Sequence, residues 1–209
     1  MPGRFQCAAT SEAKGTVAHS APLLGRLRFR IELAPDMRRE NNDCEALLKR
    51  LGCFVRLNSE HKAAIMGACV GSHYHVRNKA DFLRQGERVS GLHILTKGWA
   101  CRLLILPDGR RQIAGFLIPG DICMTEVPDV YLDFSLSSLT DSSYLSLTND
   151  TLDRLRTAYP PVRKGLALHD HVISAILRNW VVNLGQRNAF ERIGHVFCEM
   201  LLRLRCIGM

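Results

Sequence analysis

An α+β fold is predicted for this chain: a jelly-roll-like β-roll, preceded by short helices and followed by one long helix. Three observations predict it. Between His73 and about Leu147, short strand-like runs are broken at Gly86, Gly91, Gly98, Asp108-Gly109 and Pro119-Gly120, the regular turn spacing of a roll. In the middle of that span Asp108-Gly109 reads as a two-residue hairpin turn, because both positions tolerate φ > 0. After it, Val162 to Leu184 holds the longest stretch of helical periodicity in the chain, with apolar residues three or four apart.

Residues 1–40 read as a disordered extension, rich in Ala, Gly, Ser and Thr up to about Ser20. One piece differs: Arg26-Leu27-Arg28-Phe29-Arg30-Ile31-Glu32-Leu33 alternates polar and apolar, the period of an edge strand. Asp43 to Leu51 is predicted as a short helix with Ala46, Leu47, Leu48 and Leu51 on its core face. Ser59 is the expected N-cap of a second helix over Glu60 to Cys69, since its hydroxyl can accept an orphan backbone N–H. Strands follow, ending in a corner at Pro119-Gly120-Asp121. Asn149 is expected to cap a helix over Asp150 to Ala158, which Pro160-Pro161 ends. On the long helix Leu166, Ile173, Ile176, Leu177, Trp180 and Leu184 form one stripe, and Gly185 interrupts it. Asn188 then starts a last helix with Glu191 three positions on, a capping-box spacing.

The 209 residues suffice for one full core and a small extra element. An apolar content of 46% and a charged content of 23% are ordinary for a globular protein. No apolar run reaches membrane-spanning length and no signal-peptide core is present, so a cytoplasmic location and no membrane partner are expected. The net charge of +8 suits a nucleic-acid partner, though arginine is spread along the chain rather than gathered. Eight cysteines occur without a C-x-x-C pair. Zinc or iron–sulfur sites favour ligands close in sequence, so no metal is expected, and the cysteines read as free, small buried hydrophobes.

Lys97-Gly98-Trp99-Ala100-Cys101-Arg102, then Asp108-Gly109-Arg110, then Phe116-Leu117-Ile118-Pro119-Gly120-Asp121 resembles the sensor domain of the Crp/Fnr transcription regulators. Cys123, just after the corner, matches one subgroup. Asn183 to His195 is similar to the family's link between dimerisation helix and DNA-binding domain. The resemblance runs from about Cys44 to the last residue. It implies a cyclic-nucleotide-binding-like sensor over 41–160, a dimerisation helix over 161–185 with a hinge at Gly185, and the start of a winged-helix domain over 186–209, truncated where the chain stops at Met209. It implies a homodimer through Leu166, Ile173, Ile176, Leu177, Trp180 and Leu184. DNA would be the partner of a complete family member, with no specific operator binding by these 209 residues.

The resemblance places the effector pocket at Gly120, Asp121, Ile122, Cys123, Met124, Thr125, Glu126 and Ser135. Cyclic-nucleotide binders in the family carry Gly-Glu after the corner and Arg beside a later Ser or Thr. Here Met124-Thr125 replaces Gly-Glu, Ser135 has no Arg beside it, and no Arg or Lys lies between Arg111 and Arg154. A charge-assisted bond to phosphate is worth about 1.5–3 kcal/mol, so its loss predicts weak or absent cyclic AMP binding. The effector is an unknown small molecule, and no cofactor is expected. His73-x-His75 shares a strand face, as in cupin metalloenzymes, but no carboxylate and third histidine follow at their spacing. His169 and His171 are expected to face solvent. No nucleophile–base set has supporting context, so no catalytic residue and no enzyme are expected. The reading is therefore the sensor and dimerisation portion of a signal-responsive Crp/Fnr-type regulator. The alternatives are a cupin-like metal-dependent enzyme, or a truncated regulator that pairs with full-length relatives.

Overall fold

The structure is a computed structural model that describes residues 37–70, 73–88, 90–125 and 131–209. The alternating segment 26–33, most of the expected extension and Glu126 lie outside the described residues. The elements run α1 (Met37–Gly52), α2 (Ser59–Ala68), β1 (His73–Val76), β2 (Asp81–Leu83), β3 (Leu92–Lys97), β4 (Ala100–Ile105), β5 (Arg111–Leu117), β6 (Ile122–Thr125), β7 (Ser135–Ser138), β8 (Ser142–Leu147), α3 (Asn149–Ala158), α4 (Pro160–Gln186) and α5 (Ala189–Cys206). The strands form two four-stranded antiparallel sheets, β1-β8-β3-β6 and β2-β7-β4-β5. The predicted roll with helices before and after it is the fold observed.

Three apolar clusters hold it. Leu83, Leu95, Ala100, Leu117, Cys123, Leu132 and Leu136 fill the space between the sheets. Outside the first sheet, Leu47, Leu51 and Ile65 of the leading helices pack with Leu152, Val162 and Leu166 of the trailing ones. The third cluster joins α5 to the roll: Met200 and Ile207 bury themselves against Ile118, with Trp99 and Phe116 beside them.

Local chemistry moved several boundaries. The β4–β5 connection is not a two-residue turn. Gly109 N–H donates to Leu106 O at 2.8 Å, Leu106 N–H donates to Arg110 O at 2.9 Å, and of Asp108 and Gly109 only Gly109 has positive φ, at 83°. Pro107 explains this, since its ring holds φ near −65° and suits the second position of an ordinary turn followed by a left-handed glycine. Asn58, not Ser59, caps α2: its Oδ1 accepts from His61 N–H at 2.8 Å while His61 Nδ1 accepts from Asn58 N–H at 3.3 Å. Thr148, not Asn149, caps α3, its hydroxyl accepting from Thr151 N–H at 3.3 Å. Pro160-Pro161 opens α4, where missing N–H groups cost nothing. The Asn188–Glu191 capping box is present as expected.

The cysteines also differ from the expectation that all are free. Cys44 of α1 and Cys69 at the end of α2 form a disulfide within the helical core. The spacing rules applied to metal ligands say nothing about two helices that fold against each other. Among the described residues no helix is long and apolar enough to cross a membrane.

Candidate functional site

The corner between β5 and β6 carries a buried polar cluster that draws on several elements. Gly120 has φ of +86°, and a Cβ there would run into the backbone carbonyl of Ala46 on α1. Only glycine meets both conditions. Asp121 follows with none of its surface exposed. Its Oδ2 accepts from Ile118 N–H at 2.8 Å, closing the turn. The same oxygen pairs with Arg203 of α5, and Oδ1 pairs with Arg50 of α1, whose Nη2 lies at 2.9 Å. Arg203 also donates to Phe116 O at 3.1 Å and to Glu199 Oε1 at 2.7 Å. Glu199 Oε2 accepts from Trp180 Nε1 at 2.7 Å. Two guanidiniums and two carboxylates balance, so the buried cluster is neutral overall, as burial demands.

His169 completes the cluster. It is buried rather than solvent-facing, because α4 turns it toward the corner. Its Nε2 accepts from Ile122 N–H at 3.3 Å and lies 4.0 Å from Asp121 Oδ1. That bond puts the ring proton on Nδ1, which faces Asp170 at 3.5 Å. His171 is exposed.

The other expected pocket residues divide. Ile122 and Cys123 are buried on β6, and burial pushes the Cys123 thiol up to about 12. Met124 and Thr125 continue β6, without described side chains. Ser135 is buried, and its hydroxyl accepts from Gln85 N–H at 3.0 Å. A cation missed in the sequence lies close by. Arg102 of β4 donates to Ile122 O at 3.3 Å and Cys123 O at 3.2 Å, over the Phe134 ring. Burial lowers its pKa, and Cys123, Asp121 and Asp133 oppose that shift. The β4–β7 register sets Arg102 opposite Leu136 and Leu103 opposite Ser135, so Arg102 and Ser135 project from opposite faces of that sheet. A charged residue inside the apolar run Ala100-Cys101-Arg102-Leu103-Leu104-Ile105 was the available signal.

On the long helix the expected stripe is not one surface. Leu166 enters the helical core. Trp180 is buried, edge-on to Phe116 at 5.6 Å and bonded to Glu199. Ile173, Ile176 and Leu177 are half-buried, while Leu184 joins Val172, Val181 and Val182 among the exposed apolar residues. The cause is α5, which folds back and occupies part of the face assigned to a partner. The helix also runs through Gly185, and the chain turns at Arg187, whose backbone is extended. Arg192 fixes that turn, donating to Arg187 O and Leu184 O at 2.8 Å each.

His73 and His75 do not converge on a common ligand. His73 Nε2 meets Cys69 O at 3.2 Å and His75 Nδ1 meets Ser143 Oγ at 2.8 Å. Among the described residues, no group of three or more His, Cys, Asp or Glu is placed to hold a metal ion.

A family model for the cyclic nucleotide-binding domain matches residues 75–159. A probable transcriptional activator of Rhizobium leguminosarum bv. viciae is 28% identical over 116 residues, 54% of this chain and 47% of that protein. The match thus spans about half the length of that relative. Among solved structures, a cyclic nucleotide-binding domain from Methylobacillus flagellatus aligns with a TM-score of 0.59 at 14% identity, covering 72% of this chain and 88% of the other. The catabolite activator protein of Thermus thermophilus aligns with a TM-score of 0.51 at 18% identity, covering 63% and 61%. At these identities the structural likeness speaks to the fold.

Proposed function

We propose that residues 75–159, which the cyclic nucleotide-binding domain model matches, form a sensor domain of the kind Crp/Fnr-family regulators carry, and that this chain senses an effector and dimerises within a DNA-binding transcription regulator. The observation that carries the reading is the Asp121 cluster. It binds the corner leading into β6 to α1 and α5 at once, and the next residue, Ile122, ties that corner to α4 through His169. An effector that shifts β6 therefore acts on the helix that leaves the sensor, by biasing docked against undocked α5.

The effector is a small molecule other than cyclic AMP. Gly-Glu is replaced by Met124-Thr125 and no arginine adjoins Ser135. Arg102 is the cation available to an anionic effector group, and it already serves the Ile122 and Cys123 carbonyls. Calorimetry with cyclic AMP is expected to give no binding of micromolar strength; a micromolar or tighter constant would contradict this reading of the pocket.

A further inference from the structure

Two thiols meet where the end of α1 adjoins the end of α5. Cys53 Sγ donates to Cys206 O at 2.8 Å, which places the two residues side by side. They are 153 positions apart, so the fold and not local chain geometry brings them together. Both are exposed, in a shallow groove with Lys49 and Arg205. The remaining described cysteines differ: Cys44 and Cys69 are already bonded, Cys101 and Cys123 are buried, and Cys198 is exposed elsewhere on α5.

We propose that Cys53 and Cys206 form a reversible disulfide that fastens the end of α5 to the end of α1, with a hydroperoxide as oxidant. Burial and the neighbouring Cys206 thiol push the Cys53 thiol up to about 11, and the proposal gives the first attack to Cys206. The Cys206 thiol gives its proton to water as its sulfur attacks the peroxide; an S–O bond forms, the O–O bond breaks, and the departing alkoxide or hydroxide takes a proton back from water to leave as an alcohol or water. Cys53 sulfur then attacks the resulting sulfenic acid. The S–S bond forms, the S–O bond breaks, and the departing hydroxide takes the Cys53 proton as water. Two thiols lose two electrons and the peroxide gains them. A dithiol reverses the bond by exchange. With the bond closed, α5 cannot leave the roll even if the Asp121–Arg203 pair opens. Its meaning for signalling rests on α5 being the sensor's output helix; the bond itself does not.

The test uses the full chain, reduced and then exposed to hydrogen peroxide. Trypsin digestion without reductant is expected to release Leu51–Arg56 joined to Cys206–Met209. The joined peptide should vanish with dithiothreitol and be absent from Cys53→Ser and Cys206→Ser. Recovery of the Cys206 peptide alone, alkylated as fully as before peroxide or carrying only sulfinic or sulfonic acid, would overturn the proposal. The fastening has its own readout: thermolysin should cut α5 at least about fivefold more slowly in the bonded form. An unchanged rate with the bond formed would overturn the fastening. Neither result depends on whether the chain dimerises or what effector it binds.

Discussion

A carboxylate with no exposed surface has to be balanced, and Asp121 is balanced by arginines from both ends of the described chain. Removing the anion leaves two buried cations facing Glu199 alone, whereas removing Arg50 leaves Arg203 in place between both carboxylates. Asp121→Asn is therefore expected to cost about 3–5 kcal/mol in urea unfolding, and Arg50→Met clearly less. Equal costs, or a cost under about 1 kcal/mol for Asp121→Asn, would mean the cluster is not held as described. His93 supplies a pH dependence. It is buried beside Tyr144, its Nε2 on Ser90 O at 3.1 Å, and burial lowers its pKa below the ordinary 6.5. The unfolded chain then binds more protons than the folded one just below 6.5, so His93 contributes stability above that pH, lost as pH falls through it. Melting temperatures from pH 7 down to 5 should fall less steeply in His93→Gln; an unaltered slope would remove His93 from the account. At this scale the corner was legible, since Pro-Gly-Asp is a local turn signal. Arg50, His169 and Arg203 were not, because nothing in their own neighbourhoods shows that they share one carboxylate.

Helices and strands were legible wherever periodicity alone decides them. The roll, the long helix and the Asn188–Glu191 cap all follow from local pattern. What the pattern left open was the fate of apolar faces. A stripe on α4 is satisfied equally by a partner helix or by the chain's own next helix, and α5 supplies part of the answer through Trp180–Glu199. The face still open carries Val181 and Leu184, with Val181 72% exposed. The dimer proposed above is assigned to that face. Val181→Glu combined with Leu184→Glu is expected to give monomers by light scattering with the roll still folded. A double variant that stays dimeric would move the interface elsewhere, with Phe190, Ile193 and Phe197 of α5 the next exposed apolar face.

Across the whole molecule, one buried ionic cluster ties the corner before β6 to α1 and α5, and the proposed function makes β6 the input and α5 the output. The topology explains why sequence reasoning found the roll but not this cluster: Asp121 and Arg203 are 82 positions apart, and only the docking of α5 on Ile118 brings them together. Amide hydrogen exchange on the wild-type chain and on Asp121→Asn tests this wiring most directly. The account predicts that residues 189–206 exchange at least about tenfold faster in the variant while the β3 and β8 amides stay protected. Unchanged protection of α5, with the carboxylate gone and the roll intact, would contradict it.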